Sequence, residues 1–222
     1  MGGRVELDSG GRTASAYLAA PDMGAGPALI VMEEWWRVVG HIEDVCDRFA
    51  AEGFTALAPE LSTATPDEAG QRMMALNLEQ AAEDLDGAIR FLGASDAVRG
   101  QGVGVTGFGL GGALALELAV RRQDDVRACV LFYGAIPESP APDWSKLEAP
   151  VQGHFAERDA SLPPERVGAL EEALHGLGKD VQFFSYPAEH AFFDDTRADV
   201  HDPESARMAW IRTLDFLRSK LG

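Results

Sequence analysis

Thiols are scarce in this chain, and so is positive charge. Cys46 and Cys129 are its 2 cysteines, too few for a disulfide framework, and no Cys or His cluster shows the spacing of a metal site. Neither a cofactor nor a metal is demanded. Lys and Arg number 19 against 36 Asp and Glu, a formal charge of −17, which repels phosphate backbones and anionic headgroups alike. Nucleic acid and membranes are therefore not expected as partners. The start, MGGRVELDSGGRTASAYLAAP, carries neither the basic segment nor the apolar run of a signal peptide, and no window is apolar for the length that spans a bilayer. A cytoplasmic location is expected, as a monomer or small homo-oligomer. No internal repeat is present, and the proline-rich loop GAIPESPAPDWSKLEAP does not separate regions of different composition. At 222 residues the chain suits one large core and is short for two, so one domain over residues 1–222 is expected.

What is present alternates. PALIVM (Pro27 to Met32), FTALAP (Phe54 to Pro59), GVGVTG (Gly102 to Gly107), ACVLFYG (Ala128 to Gly134), APVQGHF (Ala149 to Phe155) and VQFFSYP (Val181 to Pro187) are short apolar runs bounded by Gly or Pro. They read as buried strands. Between them Ile42, Val45, Cys46, Phe49 and Ala50 form a helical stripe that stops at Gly53, a left-handed terminator. Leu78, Ala81, Ala82, Leu85, Ile89 and Leu92 form a second, ending at Gly93. The last helix opens with Asp202 as cap and Pro203 in its first turn, then buries Ala206, Trp210, Leu214, Leu217 and Leu221. Strands alternating with helices imply a mostly parallel, doubly wound sheet with helices on both faces and a site at the carboxyl ends of its strands. The amino-terminal runs Val5 to Leu7 and Ala14 to Ala19 read as an antiparallel hairpin at the edge.

One stretch carries chemistry. VTGFGLGGALALELA, Val105 to Ala119, runs from a strand into a helix through glycines. In such a G-x-Nuc-x-G elbow the middle residue takes strained backbone angles, the flanking glycines let strand and helix approach, and the next N–H points into an oxyanion hole. Gly107 and Gly111 supply the flanks, Gly112 adds room and Leu110 supplies the N–H. The middle position, however, is Gly109, which presents no side chain. Downstream an acid and a histidine complete the order of a hydrolase triad: Asp159 in AERDASLPP and His190 in AEHAFFDD, each on a loop after a strand. Each interval holds about one strand-helix unit, which returns both side chains to the same sheet edge.

Four separated segments, EEWWRVVGHIEDVCDRFAAEGFTALAPEL, GVGVTGFGLGGALAL, GHFAERDASLPPE and YPAEHAFFDD, resemble the dienelactone hydrolase family from about Ala28 to the end. The resemblance implies the α/β-hydrolase fold and hydrolysis of small lactones or esters. It implies a cysteine nucleophile at the position of Gly109, with Asp159 and His190 as its partners. It also implies an interacting glutamate at Glu34 and an oxyanion hole from the N–H groups of Leu110 and Trp35. In that family arginines hold an anionic substrate, one in the loop after the second core strand and one four residues beyond the histidine. Here those places read PELSTATPDE and Asp194. Arg37, Arg72, Arg158 and Arg197 are the remaining arginines near the mouth. A neutral or aromatic ligand is expected instead, with Trp35, Trp36, Phe108 and Phe192 as apolar walls.

The vacancy at Gly109 leaves three readings. Cys46 and Cys129, on a buried stripe and inside an apolar strand, read as inert small hydrophobes, Ser161 as a turn cap, and Thr106 lies before the elbow. In the first reading a water occupies the space of the lost thiol, and His190, oriented by Asp159, draws a proton from that water, or from a substrate carbon or hydroxyl, while backbone N–H groups hold the oxyanion. This gives noncovalent hydrolysis or acid-base rearrangement of a small ester, lactone or related carbonyl compound. An oxyanion hole and binding alone retain roughly 10³ to 10⁴ over water in a triad hydrolase. In the second reading the chain binds a small apolar molecule without turnover, glycine having relieved the strained elbow. In the third, Gly109 is an engineered deletion in an active cysteine hydrolase. Keeping Glu34, Asp159 and His190 together favours chemistry, since an idle site has no physical need of buried charge.

Overall fold

A computed structural model describes residues 2–32, 40–61, 78–134 and 142–222. The strands are β1 (Gly3–Ser9), β2 (Arg12–Ala19), β3 (Gly26–Met32), β4 (Thr55–Pro59), β5 (Val98–Phe108), β6 (Val126–Phe132), β7 (Val151–Arg158) and β8 (Val181–Glu189). The helices among them are α1 (Gly40–Ala51), α2 (Leu78–Gly93), α3 (Leu110–Arg121), α4 (Pro164–Gly176) and α5 (Pro203–Leu221). These eight strands of the described residues join one sheet in the order β1-β2-β4-β3-β5-β6-β7-β8. The six apolar runs are its parallel strands, and the amino-terminal hairpin adds to β4 antiparallel. Gly10 and Gly11 turn that hairpin, both at positive φ (60° and 84°), as a two-residue primed turn requires.

The parallel strands are apolar at successive residues because both of their faces are covered. Along β3, Ala28, Ile30 and Met32 enter one core while Leu29 and Val31 enter the other. β6 divides the same way, Cys129 and Leu131 against Ala128, Val130 and Phe132. Helices α2, α3 and α4 close the first core, and α1 and α5 the second. The stripe Ile42, Val45, Cys46, Phe49 and Ala50 is buried throughout. On α5 the expected stripe shifts. Ala206, Leu214 and Leu217 are buried, Ala209 and Thr213 join them, and Trp210 and Leu221 pack partly exposed at the margin. Asp202 caps this helix, accepting from the Ser205 N–H at 2.8 Å. No helix among the described residues is long and apolar enough to cross a membrane.

One histidine belongs to this core. His154 on β7 is fully buried, its Nδ1 2.8 Å from the Tyr186 hydroxyl and its Nε2 3.0 Å from both Gln152 Oε1 and Thr213 Oγ1. Burial, with the charge of Arg212 second, pushes its pKa down to about 3. It is held neutral. At the far edge, the pairing of β7 with β8 slips between Ala156 and Arg158, a bulge that takes in Pro187, and the strand then ends beside His190.

The tightest point is where β5 turns into α3. A Cβ at Gly107 would lie 2.1 Å from the Gly111 carbonyl oxygen, and one at Gly112 would lie 2.7 Å from the Gly134 Cα. Backbone therefore meets backbone at the ends of β5 and β6. Gly107→Ala is expected to destabilise the protein by about 3 kcal/mol or more, because the colliding atoms are main chain and cannot rotate away. Gly168→Ala on α4, where a Cβ meets nothing within 4 Å, should instead stabilise by about 0.5–1 kcal/mol. Thermal unfolding midpoints of the two variants check this contrast.

Candidate active site

Gly109 caps α3 with φ 52° and ψ −119°. An L-residue there would be strained, which is the backbone of a nucleophile elbow. Its N–H donates to the Phe132 carbonyl at 3.0 Å, and its own carbonyl accepts from the Gly112 N–H at 3.0 Å. Leu110, the first residue of α3, has no acceptor for its N–H within the helix and stands at the positive end of the helix dipole. That is the donor chemistry of an oxyanion hole.

Asp159 and His190 come together. The Nδ1 of His190 lies 2.6 Å from Asp159 Oδ2, with the Asp159 side chain 1% exposed and the His190 side chain 36% exposed. The other carboxylate oxygen accepts from the Ser161 N–H (2.9 Å), the Ser161 hydroxyl (2.6 Å) and the Leu162 N–H (3.0 Å). Burial acts to raise the Asp159 pKa, but the His190 and Ser161 hydrogen bonds, the His190 charge and the Leu162 N–H outweigh it, and the carboxyl is held below its ordinary value. It therefore stays ionised. An imidazole that donates from Nδ1 to a carboxylate carries its lone pair on Nε2, the tautomer a general base needs. The His190 ring also leans on Tyr133, 5.1 Å between ring centres.

The other expected residues divide. Glu34, Trp35 and Trp36 lie outside the described residues, as do Arg37 and Arg72. Arg158 is paired with Glu189 at 2.7 Å, and Arg197 stands 4.0 Å from Asp199. Phe108 and Phe192 are corrected: they are 2% and 0% exposed and belong to the core between the sheet and α1 and α5, not to an open pocket wall. Phe108 stacks on Phe132 at 4.7 Å, and Phe192 packs on Tyr186 at 5.2 Å. The physical reason is that such rings gain most by full burial, and the turn through Ala191, at φ 64°, folds Phe192 inward just after His190. Cys46 and Cys129 are fully buried, with thiol pKa values pushed up by burial, and Thr106 is sealed inside β5 with its hydroxyl making no hydrogen bond. Ser161 is spent on Asp159.

Tyr133 escaped the sequence reading. It sits at φ 40°, an uncommon angle for a bulky residue and a marker of a constrained site. Its signal is present in ACVLFYG: a Tyr-Gly pair at the end of the strand beside the elbow. For Asp159 the expected consequence is pH-dependent stability. A depressed carboxylate contributes stability that is full above its unfolded value, about 3.9, and is lost as pH falls through the lower folded value. Asp159→Asn should cost about 1–3 kcal/mol at pH 7, and the gap from the parent should narrow below about pH 4. Denaturant titrations at both pH values measure it.

The sequence profile of the dienelactone hydrolase family matches residues 14–221. Protein usf of Aquifex pyrophilus is 34% identical, with 100% of each chain covered. A putative carboxymethylenebutenolidase of Aquifex aeolicus (strain VF5) is 31% identical over 100% of each. The crystal structure of a putative dienelactone hydrolase from Klebsiella pneumoniae subsp. pneumoniae MGH 78578 matches with a TM-score of 0.87 at 30% identity, covering 98% of each chain. The last two names denote hydrolases of the lactone or ester type, and the sheet described above is their α/β-hydrolase fold. By sequence over nearly its whole length, and by fold, the chain belongs to the dienelactone hydrolase family.

Proposed function

We propose that this chain hydrolyses a small neutral or aromatic ester or lactone without a covalent intermediate. The observation that carries the reading is the 2.6 Å hydrogen bond between His190 and buried Asp159, kept although the elbow at Gly109 offers no nucleophile. A water beside Gly109 gives a proton to His190 Nε2 as its oxygen attacks the carbonyl carbon. The carbonyl electrons move onto oxygen and are held by the Leu110 N–H and, as the family resemblance implies, the Trp35 N–H, with Glu34 nearby. Collapse re-forms the carbonyl and breaks the bond to the leaving oxygen, which takes the proton from His190. Asp159 holds the ring in its tautomer and stabilises the imidazolium between the two transfers. Binding without turnover is the second reading, and the observation favouring it is that glycine at φ 52° removes the strain a nucleophile would carry.

Assays on neutral aryl esters and lactones separate the readings. The chain as it stands should turn over substrate, and His190→Ala should lower kcat/KM by about 10²–10⁴. Mass spectrometry during turnover should find no acyl adduct. A chain that is inactive until Gly109→Cys restores a thiol would refute the water mechanism and leave a deleted nucleophile as the explanation.

A further inference from the structure

His41, the second residue of α1, points its ring towards the loop that follows His190. Its side chain is 9% exposed, and Nδ1 stands 3.5 Å from Asp194 Oδ1 and 3.6 Å from Asp195 Oδ1. Neither of its ring nitrogens makes a hydrogen bond, although both are buried. A buried imidazole normally finds a partner for each nitrogen. Among the described residues, the carboxylates nearest it stand 3.5 and 3.6 Å from Nδ1 without hydrogen bonding to it, and its flanks are the apolar rings of Phe108 (6.2 Å) and Phe193 (6.4 Å).

We infer that His41, Asp194 and Asp195 form a binding site for a divalent transition cation of the zinc class. The three donor atoms lie within 4.8 Å of one another. Two ligands each about 2.0–2.1 Å from a tetrahedral zinc stand roughly 3.4 Å apart, which the two His-to-Asp separations nearly match. Rotation of the Asp195 carboxylate, 50% exposed, closes the third. One imidazole with two carboxylates suits a borderline ion such as Zn²⁺ better than Mg²⁺, which prefers oxygen and retains its water. Asp194 Oδ1 also accepts from the Thr196 N–H (3.0 Å) and hydroxyl (2.6 Å), contacts that fix where the carboxylate stands. With three protein ligands the fourth position falls to water. Sequence spacing hides the site, because α1 follows the first core strand and the aspartates follow the last. The cation clips the start of α1 to the loop that begins at His190.

The test is calorimetric titration of Zn²⁺ into the tag-free, chelator-stripped full chain, followed by thermal unfolding with and without the metal. One equivalent should bind, with Mg²⁺ at least about tenfold weaker, and the unfolding midpoint should rise. Asp195→Asn, at an exposed position that leaves folding intact, and His41→Ala should each weaken Zn²⁺ binding roughly tenfold or more and abolish the rise in midpoint. No saturable binding, or one equivalent bound equally well by both variants, overturns the assignment, and equal affinity for Mg²⁺ overturns the class of ion.

Discussion

Three pieces of main chain meet with no side chain between them at the carboxyl ends of β5 and β6, and the site is organised around that contact. Gly107 lies against Gly111, and Gly112 against Gly134. A single methyl group at either point would push α3 off the sheet. Because α3 sits so close, its first N–H groups arrive at the strand ends, and Gly109 is held at its elbow angles by bonds to Phe132 and Gly112. Tyr133, the next residue of that strand end, then sets one side of His190. The elbow retains its shape through packing and hydrogen bonds that do not involve the side chain at its tip, which is how the position tolerates glycine.

The second requirement is electrostatic. A carboxylate as buried as Asp159 is costly unless its lone pairs are filled. Four donors fill them, three from the turn at Ser161 and Leu162 and one from His190. The turn therefore fixes the acid independently of the histidine. His154 solves the opposite problem: deep in the second core, it is kept neutral and satisfied by three neighbouring polar side chains. Two histidines on or next to adjacent strands thus have different characters, one tied to an acid at the surface of the site and one locked in the interior.

Much of this was legible in the sequence because it follows from local rules. Six apolar runs bounded by Gly or Pro are the six parallel strands, and the stripe from Ile42 to Ala50 is a buried helix face. Asp159 and His190 follow from chain order, from their loops after strands and from the family resemblance, and the sheet returns them to one edge. What could not be read is orientation at strand ends. Phe108 and Phe192 stand beside the elbow and the histidine in sequence, yet alternation and a left-handed turn at Ala191 send both rings into the core. Tyr133 was missed for the converse reason: the Tyr-Gly pair marks the end of the strand, but not that the tyrosine itself takes a positive φ. The meeting of His41 with Asp194 and Asp195 depends on how α1 lies against the last loop, a tertiary fact with no local pattern.

The irregularity near the end of β8 has a consequence for assembly. A regular outermost strand offers a row of unpaired amides to any other extended chain. Pro187 has no N–H to offer, and the slip in pairing between Ala156 and Arg158 bends the backbone away from a flat ladder. Another molecule therefore finds no continuous template there, and the strip of sheet nearest the histidine is guarded against β-addition by the same kink that precedes it.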